Sequence, residues 1–109
     1  MIVFPDSTLQ KKGVQIFNRL KKRGDEAFPR ITFPVCHVKE EYLYCEARLK
    51  LKNGREFEYP FGVDLQEALL NGHAADDVAE LEFNLATEAF RHSLDFYGDD
   101  WGPEDFVDG

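Results

Sequence analysis

Ser93, His92 and Asp95 bring together the hydroxyl, imidazole and carboxylate that acyl-transfer catalysis uses. That chemistry needs a base within reach of the nucleophile and a third group that orients the base. Ser93 is one residue from His92 and two from Asp95 in a segment that reads as helix. Side chains at those spacings diverge, so no relay is expected. Cys36 and His37 are adjacent in a strand-like run, which sends them to opposite faces as a core cysteine and a surface histidine. No Gly-x-Ser-x-Gly occurs. A metal centre would draw on Cys36, Cys45, His37, His73 and His92, but Cys-x-x-Cys, His-x-x-x-His and His-Glu-x-x-His spacings are all missing. The two cysteines plus a distant histidine remain a spatial alternative. The pairs Asp76-Asp77 and Asp99-Asp100 lie outside any glycine-containing calcium loop. Gly98, Gly102 and Gly109 neither follow a strand nor open a helix, as a phosphate cradle requires. The expectation is a protein that is not an enzyme and carries no cofactor or metal.

Charge carries more information. The 109 residues have a net charge of −8, unevenly spread. Residues 1–55 hold 12 Lys/Arg against 6 Asp/Glu, a net of +6. Residues 56–109 hold 1 (Arg91) against 15, a net of −14. Such asymmetry bears on partners rather than on fold. With 43% hydrophobic and 14% aromatic residues, an ordered core is expected. No apolar run approaches the roughly 18 residues of a membrane span, and Met1 to Lys12 lacks a signal-peptide pattern. A cytoplasmic location is expected, with Cys36 and Cys45 as free thiols. They fall on adjacent strands, where one register would allow a cross-strand pair.

The elements that position these groups follow from periodicity. Met1–Phe4 is a short apolar lead, and Pro5-Asp6-Ser7 a turn with the N-cap at Asp6 or Ser7. A first helix is predicted from about Thr8 to Arg23, stopped by Gly24. Leu9, Ile16, Phe17 and Leu20 share its buried face, and Lys12, Arg19 and Arg23 another. Gly13 inside it costs about 1 kcal/mol against Ala, so it marks a close approach. Ile31, Phe33 and Val35 alternate in a first strand, where Pro34 argues for an edge. Leu43, Cys45, Ala47, Leu49 and Leu51 alternate in a second, and Phe57, Tyr59 and Phe61 in a third. A two-residue turn at Asn53-Gly54 would put the two apolar sets on opposite faces. A three-residue loop, Lys52–Gly54 with Gly54 left-handed, sets Leu49 opposite Phe57 and Ala47 opposite Tyr59, and is therefore predicted. Lys50 then faces Glu56, and Arg48 faces Glu58.

Asp64 caps a short helix to about Asn71, with Glu67 completing a capping-box-like pair. A long helix follows from about Ala75 to Tyr97, stopped by Gly98. Its apolar residues (Val78, Leu81, Phe83, Leu85, Ala86, Ala89, Phe90, Leu94, Tyr97) cover more than the roughly 100° stripe of a helix lying on a sheet alone. It should touch two neighbours, the second being the first helix or another subunit. The fold class expected is α+β, a three-stranded antiparallel meander with the N-terminal helix and the short and long C-terminal helices packed on one sheet face. Residues 1–98 form the domain and 99–109 an acidic, aromatic tail.

The order helix, three strands, helix resembles the double-stranded-RNA-binding domain in topology. Asp76 and Asp77 stand where that family carries lysines at the start of its final helix. Phosphate contact there would be repelled, so the RNA-binding function is not carried over. Three functions from different classes remain. The first is an acidic protein-binding module, an inhibitor or antagonist of a basic protein, including one whose own ligand is a nucleic acid, steered by charge. Its contact residues are expected at Asp77, Glu88 and Asp95 along the long helix, with Glu80 nearby. In the tail they are Asp99, Asp100, Trp101, Glu104, Asp105 and Phe106, where the aromatics would act as anchors. Alternatively Trp101 folds back to finish the core. The second function is a nucleic-acid-binding module using the basic helix and the strand face of Tyr42, Tyr44, Arg48, Lys50 and Lys52. The third is a homodimeric structural or chaperone-like protein. No membrane partner is expected.

Overall fold

In the computed structural model, residues 4–27, 29–70 and 75–96 are described. The elements are α1 (Asp6–Glu26), β1 (Thr32–Lys39), β2 (Tyr42–Lys50), β3 (Glu56–Asp64), α2 (Leu65–Leu70) and α3 (Ala75–Phe96). The strands pair antiparallel in the order β1-β2-β3. An N-terminal helix, an open three-stranded sheet and a short and a long C-terminal helix packed against it make the α+β architecture expected from the sequence. No described helix is long and apolar enough to cross a membrane.

Alternation along β2 buries Leu43, Cys45, Ala47 and Leu49 beneath the helices, and Leu51 continues the set just past the strand end. The hairpin to β3 has the predicted three-residue loop. Leu51 N donates to Arg55 O at 2.9 Å, Gly54 sits at φ 92°, and Leu49 opposes Phe57 while Ala47 opposes Tyr59. Phe57 and Val63 are buried on the same face, with Tyr59 and Phe61 packed at the core margin. Register here follows the buried face, since a shift of one residue would turn all of these side chains to water.

β1 departs from simple alternation. A bulge between Thr32 and Val35 inserts an extra residue, so Phe33 points inward but Val35, predicted inward with it, is exposed. Cys36 and Val38 take over the inner face beyond the bulge. Cys36 thereby lies opposite Cys45, with Cα atoms 4.2 Å apart, and the two sulfurs are paired. The expectation of two free thiols is corrected. Cys45 belongs to the set of β2 residues whose backbone bonds run to β3, so the Cys36–Cys45 position is the non-hydrogen-bonded kind, where opposed side chains stand closest.

α1 buries Leu9, Ile16 and Leu20, with Phe17 half-buried. Its limits differ from those predicted. It begins at Asp6 behind Pro5, whose carbonyl accepts from Thr8 N (3.0 Å) and Leu9 N (3.2 Å), and no side chain caps it. It also runs through Gly24 instead of stopping there. Gly24 is buried, and its carbonyl accepts from Ala27 N and Ile31 N, both at 3.3 Å. A Cβ at Gly24 would collide with the Ile31 carbonyl oxygen, and one at Gly13 with Val38 Cγ2. Both glycines serve close packing, which the reading of Gly13 anticipated and that of Gly24 did not.

α2 is capped as expected, Asp64 Oδ1 accepting from Glu67 N at 3.0 Å. α3 buries Ala79, Phe83, Ala86, Phe90 and Leu94. Its two neighbours are the sheet, through β3, and α1. Leu81 and Leu85, counted in its packed arc, instead face solvent.

Candidate functional site

The solvent side of α3 carries three of the residues expected to make contacts. Asp77, Glu88 and Asp95 are exposed. At about 100° per residue, Asp77, Leu81, Glu88 and Asp95 fall within about 40° of one another, and Leu85 lies about 40° further round. Leu81 is 58% exposed and Leu85 40%, so a line of carboxylates borders an apolar stripe in water. Among the described residues no ion pair engages Asp77, Glu88 or Asp95. Glu80 differs. Arg23 of α1 donates to its Oε1 at 2.8 Å and lies 4.9 Å from the Phe83 ring centre, so Glu80 belongs to the α1–α3 contact.

The apolar stripe turns towards β3. Among the described residues the order β1-β2-β3 leaves one edge of β3 without a paired strand. Beside that edge a cleft of about 370 Å³ opens between the strand end and the two C-terminal helices. Gly62, Val63 and Asp64 of β3 form one wall, Glu67 and Ala68 of α2 its end, and Asp77, Val78, Leu81 and Glu82 of α3 the other wall. Its base is apolar and the described residues lining it include four carboxylates and no lysine or arginine. Burial pushes the Glu82 carboxyl above its ordinary value of 4.5. A second opening, of about 200 Å³, lies at the other end of α3 between Leu49, Phe83, Phe90 and Leu94, with Arg91 at its margin.

The outer face of the sheet carries cations as well as carboxylates. Arg48 is held by Glu46 (2.9 Å), Glu58 (3.4 Å) and Glu56 (3.5 Å). Its expected partner Glu58 is therefore joined by two more, one of them the residue opposite Lys50. Tyr44 stacks on His37 at 5.7 Å and approaches Tyr42 at 6.2 Å. The phenol of Tyr42 is raised above 10.0, chiefly by Asp64 and then Glu41. Asp64 and Glu41 thus place negative charge at the aromatic end, and at the other end Arg48 is shared by three carboxylates beside the exposed Lys50. A phosphate backbone would meet repulsion at the aromatic end of this face.

Ser93 does not join His92. Its hydroxyl donates to the Ala89 carbonyl at 3.0 Å, one helical turn back, while His92 and Asp95 are exposed. Among the described residues no group of three or more His, Cys, Asp or Glu is arranged to hold a metal ion. Asp99, Asp100, Trp101, Glu104, Asp105 and Phe106 lie outside the described residues, as do His73, Tyr97 and Gly98. Three expected contact residues therefore lie along one side of α3, and the cleft bordered by the first of them, Asp77, adds Asp64, Val63, Leu81 and Glu82, which sequence reasoning missed. Pro60 was the available signal. A proline inside a strand-like run marks an edge, and Pro60 marks β3 as Pro34 marks β1. No protein-family model, curated protein or solved structure matches the chain.

Proposed function

We propose that this chain is a protein-binding module that docks a partner with a basic surface against the solvent face of α3. The observation that carries the proposal is the alignment of exposed Asp77, Glu88 and Asp95 beside exposed Leu81 and Leu85, with no basic group of the described chain paired to those three carboxylates. Carboxylates give steering and selectivity against acidic partners, and the leucines give apolar area at the centre of the contact. The role most consistent with this is an inhibitor or antagonist that occupies the basic surface of its target. Where the target's own ligand is a nucleic acid, the module and the nucleic acid compete.

Two other uses are less well supported. A two-fold homodimer through this face would bring the carboxylate lines of both copies together, at a cost in repulsion. Nucleic-acid binding through the strand face would draw on Arg48, which three carboxylates already hold.

The test compares immobilised wild type with the Asp77→Asn/Glu88→Gln/Asp95→Asn variant as bait for the same cell extract at low and moderate salt. Basic proteins retained by wild type, lost at higher salt and lost from the variant are the expected result. Identical capture by both baits ends the proposal.

A further inference from the structure

Gly62, Val63 and Asp64 of β3 form one wall of the acidic cleft, and the edge of β3, which no described strand pairs, has a backbone arranged to accept another strand. Two bonds fix which peptide groups point outward. Leu51 N donates to Arg55 O at one end of the β2–β3 ladder, and Leu65 N donates to Glu41 O, both at 2.9 Å, at the other. Antiparallel pairs alternate between bonded and non-bonded, so counting in twos from either end gives the same set. Phe57, Tyr59, Phe61 and Val63 exchange bonds with β2, while Glu58, Pro60, Gly62 and Asp64 turn their backbone groups to the free edge. Pro60 has no N–H to present there, which leaves Gly62 and Asp64, the two beside the cleft, as the pairing positions.

We propose that the cleft takes an extended segment of a partner protein that alternates basic and apolar residues, and that this segment adds as a fourth strand on β3. The inference rests on the protein-binding reading above and specifies how the partner is held. Side chains of an added strand alternate between the two sheet faces. On the helix side, its apolar residues land on Val63, Val78 and Leu81, with Asp77 and Glu82 alongside. On the outer side, its basic residues lie beside Asp64 and Glu58, where opposite charges across strands attract. Gly62 leaves the centre of that outer wall without a side chain. The volume, about 370 Å³, is at the low end of the roughly 300–1,000 Å³ of ligand clefts and suits a short stretch of chain. A second copy of β3 does not suit it, because two such edges would bring Glu56, Glu58 and Asp64 of both copies onto one face with no lysine or arginine of β3 to offset them.

The probe is the acetylated, amidated hexapeptide Lys-Val-Lys-Val-Lys-Val, titrated into the 15N-labelled full chain. Amide shifts centred on Gly62, Val63, Asp64 and Leu81 are expected, with slowed exchange of the Gly62 amide hydrogen. Gly62→Ala keeps the N–H, and its Cβ meets nothing closer than Leu43 O at 4.0 Å, so it serves as the folding control for substitution at this position. Gly62→Pro removes the N–H at an edge position and should weaken binding by about tenfold. The peptide N-methylated at every second residue makes the same cut from the other side, so a failure of Gly62→Pro to fold leaves the question answerable. Equal binding of the N-methylated peptide, or equal affinity for Gly62→Pro, overturns the added strand. If the Asp77→Asn/Glu88→Gln/Asp95→Asn variant still loses affinity in that case, the basic-partner reading survives alone. Indifference to both changes removes both. Absence of shifts at millimolar peptide overturns the inference, as does concentration-dependent dimerisation that Gly62→Pro abolishes, which would assign the edge to a second copy.

Discussion

α1 and α3 are almost equal in length, 21 and 22 residues, and lie on the same face of one sheet, yet they meet it differently. α1 is drawn down by two glycines. Gly13 lets it approach Val38, and Gly24 lets its last turn sit against the Ile31 carbonyl. α3 has alanines at Ala79 and Ala86 where it is buried, but keeps Leu81 and Leu85 in water beside a strand edge that no described strand pairs. Charge follows the same division. Arg23 of α1 is committed to Glu80 and Phe83, whereas Asp77, Glu88 and Asp95 of α3 have no ion-pair partner among the described residues. One flank of the sheet is finished by its own helix, and the other keeps apolar and acidic groups available. Interaction surfaces arise where internal packing stops short of satisfying what the sequence supplies.

The difference can be broken most strongly at Gly24. Gly24→Ala gains roughly 1 kcal/mol of helix propensity but drives a methyl into a backbone oxygen that no rotamer change can move. A net loss of about 2 kcal/mol is expected in urea unfolding, with the binding proposed for the α3 flank unaltered in the folded fraction. An unchanged midpoint would mean that α1 is not closely seated.

A smaller effect is expected at the contact between the helices. Arg23→Gln removes the Glu80 pair and the cation over Phe83, both partly exposed, and should cost about 0.5–1 kcal/mol. The loss should shrink in high salt, and a loss independent of salt would point to packing by the arginine stem instead.

Much of this frame was legible before any coordinates. The β2 alternation and the Asn53-Gly54 signal gave the hairpin register, because only one loop length puts Leu49 and Phe57 on the same face. Asp64 and Glu67 gave the start of α2, because a carboxylate three residues before a free N–H has few other uses. The β1 bulge was hidden, since Phe33 and Val35 look like ordinary alternation until Cys36 and Val38 need the inner face. Gly24 was misread because a glycine near the end of a helix signals a stop by local chemistry, and only the distant Ile31 carbonyl shows otherwise. On α3, the count of apolar residues anticipated two packing neighbours, but it could not separate Leu81 and Leu85 from the buried set. The carboxylates Asp77, Glu88 and Asp95 were found by helical spacing alone. The cleft beside them was not, because it depends on which strand ends the sheet.

The smallest effect concerns Glu82. Burial raises its carboxyl above 4.5, so the folded chain binds that proton more tightly than the unfolded chain. The stabilisation is complete below 4.5 and is lost as pH rises through the raised value, leaving the charged form a liability near neutrality. Glu82→Gln should therefore raise the melting temperature at pH 7 and lose that advantage well below 4.5. The same gain at both pH values would show that burial of the charge is not the cause.

The most direct test places a photo-crosslinking side chain at one of two exposed apolar positions on the opposing flanks, Leu85 on α3 or Val14 on α1. Irradiation in cell extract should trap a basic protein from position 85, in a salt-sensitive manner, and not from position 14. Equal trapping at both positions, or trapping at position 14 alone, would contradict an open, acidic α3 flank as the docking surface.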